Sequence, residues 1–267
     1  MIAAASPPGL RSVHPPLRVQ RLLGVPIHAA TMREVVGLVE ESVASRRRLR
    51  IGVVNAAKIV RMDRDPLLFQ DVASSDLVLA DGMSVVWASR LLRAPLPERV
   101  AGIDLMLAIL ERGSARGWRV YCLGASEPVL EAATAEIGRR FPGVVIAGRH
   151  HGYFTESEEA EVALDIAASR ADVLFVAMTS PRKERFLGRW AVQLPVPVCH
   201  GVGGSFDVLA GKVRRAPPAW QRLGLEWLYR VKQEPRRLWR RYLVTNTLFC
   251  DLVLSELVRG RASRSRH

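Results

Sequence analysis

With 267 residues, 49% of them apolar and 24% charged, the chain has room for a sizeable core and fits one large α/β domain or a domain with an appendage. Its net charge of +13 is uneven: residues 212–267 hold 14 Lys and Arg against 4 Asp and Glu, so the body is close to neutral and the tail is a cation. Cys122, Cys199 and Cys250 are far apart, odd in number and without metal-ligand spacing. That argues against a disulfide frame or a zinc site and for a reducing compartment, and reads all three as small buried apolar residues.

Residues 1–17, with Pro7, Pro8, Pro15 and Pro16, read as a disordered leader and lack the order of a signal peptide. From about residue 20, apolar runs alternate with amphipathic segments, the mark of repeated β-α units. The predicted strands cover 50–55, 77–80, 119–124, 144–148, 172–178 and 197–202. The predicted helices cover 32–45, 56–70, 82–92, 103–112, 127–140, 156–169 and 182–193. The fold class is therefore α/β, a mostly parallel sheet with helices on both faces, over a core of 18–211. Several strands end in glycine or a small polar residue (Asp81-Gly82, Gly124, Thr179-Ser180), and ligands of doubly wound sheets bind at such carboxyl ends.

After Gly211 the texture changes. Residues 212–267 are rich in Arg, Trp and Leu and carry three of the six tryptophans, Trp220, Trp227 and Trp239. Helices are expected over 218–232 and 235–258. Arg236 with Arg240, and Arg237 with Arg241, are spaced i,i+4 and predict one basic stripe. No stretch approaches the ~20 apolar residues of a spanning helix, so membrane contact would be peripheral. A solvated face would leave the interleaved tryptophans unexplained, and no nucleic-acid module is present. A basic amphipathic helix with Trp and Leu fits an anionic membrane surface.

Several positions could carry chemistry. Asp81 ends an apolar strand, where a carboxylate serves either as a general base or as a helix cap. Asn55, also at a strand end, would hydrogen-bond a ligand or cap a helix. Arg99 would bind a phosphate or pair with Glu98 or Asp104. The glycine-dense run from His200 to Asp207 offers backbone N–H groups to a phosphate or forms a tight strand-to-helix turn. Asp63-Arg64-Asp65 has the letters of a metal-binding pair but stands in a charged helical stretch before Pro66, so it reads as a solvated helix end. His150-His151 lacks the further ligands that complete a metal site.

In order and spacing these blocks resemble the WecG/TagA/CpsF glycosyltransferase family. They are Asn55, Ala80-Asp81-Gly82, Glu98-Arg99-Val100-Ala101-Gly102, His151-Gly152-Tyr153-Phe154, Ser180-Pro181 with Glu184, and Gly201-Val202-Gly203-Gly204-Ser205-Phe206-Asp207. Arg214-Arg215-Ala216-Pro217, Glu226-Trp227-Leu228-Tyr229-Arg230 and Glu234-Pro235-Arg236-Arg237 follow. The resemblance implies a Rossmann-like core whose C-terminal appendage meets the membrane and completes the active site. It implies transfer of a hexose-type sugar, such as N-acetylmannosamine, its uronic acid or glucose, from a UDP-sugar to a polyprenyl-diphosphate-linked acceptor in cell-envelope polysaccharide synthesis. Location on the inner face of the cell membrane follows from that acceptor. Asp81 then resembles the catalytic base, with Asn55 and Arg99 as active-site polar groups. Gly82, Tyr153, Lys183, Glu184, Gly203, Gly204 and Asp207 fall at substrate-binding positions, and Arg230, Arg237 and Arg240 at appendage arginines that meet donor phosphates. No cofactor and no metal are implied, and oligomeric state, homo-oligomer included, is left open.

The chain departs from the family pattern at Val53, often Thr, and at Lys183, usually Gln; both bear on donor and acceptor identity. Because the body is nearly neutral, the cations of a metal-free inverting site are expected from the appendage. A non-catalytic, membrane-bound nucleotide-sugar sensor on the same fold is the alternative.

Overall fold

The computed structural model describes residues 17–264, with side chains except at 237 and 260–264. The expected leader thus lies outside the described residues up to position 16, and Leu17 packs against the core.

The described chain opens on a hairpin that the periodicity had not suggested. Strands β1 (Val19–Leu22) and β2 (Val25–His28) pair antiparallel across Leu23 and Gly24, both at positive φ. Two left-handed central residues make the tight turn that matches strand twist. With four residues per strand and no Asn-Gly or Asp-Gly, the local signal was weak; burial of Leu22, Val25 and Ile27 against the core holds it.

A six-stranded sheet follows, with every pairing parallel and the order β4-β3-β8-β7-β5-β6. Its strands are β3 (Leu49–Val54), β4 (Leu77–Ala80), β5 (Arg119–Gly124), β6 (Val145–His150), β7 (Val173–Ala177) and β8 (Val198–Gly201). All six predicted strands are present. Alternate residues feed opposite faces: Val173 and Phe175 of β7 enter the cluster beneath α1 (Met32–Ser45), α5 (Gly102–Arg116) and α6 (Glu127–Arg140). Leu174 and Val176 enter the one beneath α7 (Glu159–Ala168) and α8 (Arg182–Trp190). A sheet buried on both faces explains why its strands read as continuous apolar runs.

The predicted helix over 56–70 is two helices, α2 (Ala56–Met62) and α3 (Pro66–Ala73). Asp65 accepts a hydrogen bond from Leu68 N at 3.0 Å and Pro66 opens the helix, so local capping chemistry beats the continuous apolar period. Asp65 is therefore a cap at the start of a helix rather than a solvated end.

After α4 (Met83–Leu91) and the short α9 (Ser205–Leu209), the tail forms α10 (Pro218–Arg222), α11 (Glu226–Gln233) and α12 (Pro235–Arg264). Helices α10 and α11 bury no residue, whereas α12 lies on α2 and sinks Phe249 and Val253 into the cluster beneath the hairpin and α4. Three members of the expected basic stripe, Arg236, Arg240 and Arg241, are exposed, and the Arg237 side chain lies outside the described residues. Arg241 sits one residue, about 100° of helix, from Arg240 and turns to a different surface. The same rotation leaves Cys250 exposed beside buried Phe249, against the expectation of three buried cysteines; Cys122 and Cys199 are buried.

Candidate active site

A cleft of about 1020 Å³ opens at the carboxyl ends of β3, β4, β5, β7 and β8, with α12 as one wall through Arg241, Val244 and Leu248. The chain leaves β3 toward one sheet edge and β5 toward the other, the arrangement that leaves a crevice at strand ends.

Asp81 follows β4 in that crevice. The helix-cap role does not apply along the chain, because Gly82 is the N-cap of α4 and Asp81 reaches across to α5 instead. Its Oδ1 accepts from Gly102 N at 2.8 Å, the first residue of α5, where the helix dipole favours a carboxylate. Its Oδ2 has only a long 3.5 Å contact from Asn55 Nδ2. Asn55 fills both roles read for it: Oδ1 caps α2 by accepting from Lys58 N at 3.0 Å, which turns the amide nitrogen toward Asp81. Behind Gly102, fully buried His200 lies 3.1 Å from the Gly102 carbonyl through Nε2. A carbonyl only accepts, so Nε2 carries the proton, and burial lowers the imidazole pKa and keeps it neutral. Together these contacts fix one oxygen of Asp81 and leave the other weakly engaged.

Beside Asp81 lies a charge cluster that the sequence did not reveal. Glu184 Oε1 receives Lys58 Nζ at 2.7 Å and Lys183 Nζ at 2.8 Å, and Lys58 also donates to Val53 O at 2.7 Å. All three side chains are under a tenth exposed. Burial pushes the Glu184 carboxyl up, but the two ammonium groups outweigh it and hold it at about 2. Burial and the neighbouring Lys183 push Lys58 down to about 8, against the pull of Glu184. Two buried cations share one carboxylate, so the cluster carries an excess positive charge. A Cβ on Gly201 would lie 3.2 Å from Lys183 Cε, so a side chain there would crowd the lysine.

The rim is cationic as well. Eight Lys and Arg side chains line the cleft against three carboxylates. Five of them, Lys58, Arg61, Arg64, Arg182 and Lys183, come from the core, and Lys212, Arg230 and Arg241 come from the appendage. The appendage thus brings three cations to the cleft, and the core, neutral in sum, gathers five of its own at the same mouth, which the charge balance did not suggest. Arg61 donates to Ser180 O at 2.9 Å, and Arg182 stacks 4.5 Å over the Phe154 ring. In the glycine-rich turn, Gly203 has φ +55 with open space where a Cβ would stand, and Asp207 pairs with Lys212 at 3.5 Å.

Of the positions singled out in the sequence, Asn55, Asp81, Tyr153, Lys183, Gly203, Gly204, Asp207 and Arg230 line this cleft. Gly82 packs against Asn55, and Glu184 lies behind its two lysines. Arg240 points to solvent, its place taken by Arg241. Arg99 is not brought to the lining; it pairs with Asp104 at 3.2 Å and with Glu226. His150 and His151 stack on each other at 4.7 Å, and among the described residues no group of three His, Cys, Asp or Glu side chains could hold a metal ion. Sequence reasoning missed Lys58 and Arg61, although their i,i+3 spacing just after Asn55 puts both on one face of α2.

An N-acetylglucosaminyldiphosphoundecaprenol N-acetyl-beta-D-mannosaminyltransferase of Bacillus spizizenii is 41% identical over 172 residues, 64% of this chain and 66% of that protein's length. The profile of the glycosyl transferase WecG/TagA/CpsF family matches residues 20–263, from the hairpin to the last turns of α12, and the chain belongs to that family.

Proposed function

We propose that the protein is an inverting glycosyltransferase that moves a hexose-type sugar from a UDP-sugar to a polyprenyl-diphosphate-linked acceptor at an anionic membrane surface. The observation that carries this reading is a carboxylate, Asp81, clamped by one oxygen inside a strongly cationic cleft. The free oxygen takes the proton of the acceptor hydroxyl as that oxygen bonds to the anomeric carbon. The bond from that carbon to the diphosphate breaks on the opposite face, and the departing UDP carries the electron pair. In this reading Lys58, Lys183, Arg182, Arg230 and Arg241, which line the cleft, stabilise the charge that builds there electrostatically and without a metal. Asn55 orients Asp81, and the backbone at Gly203 and Gly204 is open to close approach by a ligand.

The acceptor class follows the relative's name, and the neighbouring surface suits a lipid-linked substrate. Large apolar side chains stand exposed on the appendage and on α4: Leu223, Trp227 and Leu228, Trp239 and Leu243 of α12, and Trp87 and Leu91 of α4. Gly224 packs against Trp87, and the Trp227 and Tyr242 rings lie 5.8 Å apart, which ties the appendage loop to α4 and α11 to α12. Exposed Arg236 and Arg240 flank them. Such a patch fits peripheral docking on anionic lipid. No described helix is long and apolar enough to cross a membrane.

The test is to incubate the protein with a panel of UDP-sugars and a short polyprenyl-diphosphate N-acetylglucosamine and to identify the product by mass. A product one sugar heavier with inverted anomeric configuration is expected. UDP binding with no turnover of any donor would replace the enzyme with a nucleotide-sugar sensor.

A further inference from the structure

Arg99 stands apart from the cleft, yet it is among the most constrained cations of the molecule. Its side chain is 14% exposed, one guanidinium nitrogen pairs with Glu226 and the other with Asp104 at 3.2 Å. Arg215 closes the figure, at 2.5 Å from the other Asp104 oxygen and 3.8 Å from Glu226 Oε1. Two arginines and two carboxylates thus form a ring of zero net charge, with no cation left over for a phosphate. Arg99 and Asp104 belong to the core, Arg215 and Glu226 to the appendage.

The ring joins two parts of the proposed chemistry. On the core side, Asp104 lies in the first turn of α5, whose Gly102 N–H clamps Asp81, and Val100 N bonds Ala80 O at 2.9 Å beside that base. On the appendage side, Glu226 opens α11, and Arg230 of the cleft lies one turn further along. Apolar burial does little to hold this region, since α10 and α11 bury no residue. Their connecting loop has one tight seat: a Cβ on Gly224 would meet Met83 Cβ at 2.6 Å, and its φ of +67 favours glycine as well.

We infer that Arg99 is a positioning residue: with Asp104, Arg215 and Glu226 it latches the appendage over the cleft and so sets Arg230 in place. The part of this that concerns Arg230 and the donor diphosphate rests on the proposed function. Truncating one member leaves the others unevenly charged in a half-buried place, so the members act as a unit rather than additively.

The experiment is a double-mutant cycle on the full chain with Arg99→Ala, Glu226→Ala and both, read by transfer kinetics, UDP affinity and amide hydrogen exchange across residues 226–233. Each single change is expected to lower kcat/KM for the donor about tenfold and to speed exchange in α11, while sheet amides keep their protection. The double variant should be no worse than the poorer single one, and in an Arg230→Ala background Arg99→Ala should cost less than about twofold more. The latch is overturned if Glu226→Ala leaves α11 exchange and donor affinity at wild-type values while Arg99→Ala lowers affinity, because Arg99 then touches the ligand. Additive losses overturn it too. Should no sugar be transferred to any acceptor, the proposed function fails, but the exchange measurement still decides the latch.

Discussion

The floor and the roof of the cleft carry the same kind of charge by different means. On the floor, Lys58 and Lys183 are buried, share Glu184 and grow from α2 and α8, which pack on the central sheet. On the roof, Lys212, Arg230 and Arg241 are exposed and belong to a segment whose first two helices bury nothing. A buried charge acts through a low dielectric and is fixed before any ligand arrives; an exposed one is screened and free to adjust. The floor therefore suits the reacting sugar and base, and the roof suits a charged group that must enter and leave.

The largest expected effect breaks the floor. Asp81→Asn keeps the shape and the Gly102 contact but removes the proton acceptor, so turnover should fall by roughly 10²–10⁴ in steady-state assays while UDP affinity and melting temperature hold. Near-normal turnover would take Asp81 out of the mechanism. Next comes the contrast within α12. Phe249 belongs to the core cluster and Trp239 does not, so Phe249→Ala should cost about 3–5 kcal/mol in denaturant unfolding. Trp239→Ala should change stability by less than about 0.5 kcal/mol yet weaken binding to anionic vesicles. Equal effects of the two would erase the division of α12 into a buried and a docking part.

On the roof, Arg230→Ala and Arg241→Ala should each lower kcat/KM for the donor by about tenfold, as loss of a charge-assisted contact does, while exposed Arg240→Ala should leave it near wild type. A pH profile sharpens the floor. Lys58 loses its proton near pH 8, so donor kcat/KM should decline above that value, and Lys58→Arg should move the decline upward. The sign for stability is opposite. Between about 8 and the ordinary 10.5 the unfolded chain binds this proton and the folded one does not, so this group's contribution to stability rises with pH across that window. The smallest expected effect is none: EDTA should leave activity intact, and strict dependence on Mg²⁺ or Mn²⁺ would show that a ligand set was missed.

What local spacing encodes was readable in the chain. Apolar runs, several of them ending in glycine or a small polar residue, marked all six sheet strands, and Asp81 and Asn55 stood out because each ends one of them. The charge and tryptophan content of 212–267 likewise marked the appendage without any contact being known. The break between α2 and α3 was written in Asp65-Pro66, though the longer apolar period hid it.

What meets what was decided only by the folded chain. Lys58 and Glu184 are 126 residues apart in sequence, and Arg99 and Glu226 are 127 apart; no local period relates them. Parallel crossovers bring α2 beside α8 and the appendage beside α5, and only then does a neutral body acquire a cationic mouth. The same cause paired Arg99 with Asp104, one of the partners its sequence offered, added Glu226 from the appendage, and gave Phe249 and Val253 of α12 to the core. Sequence periodicity sets which face a residue takes on its own helix or strand. Which charges share that face is set by the packing of elements far apart in the chain, because a buried charge persists only where the fold supplies its partner.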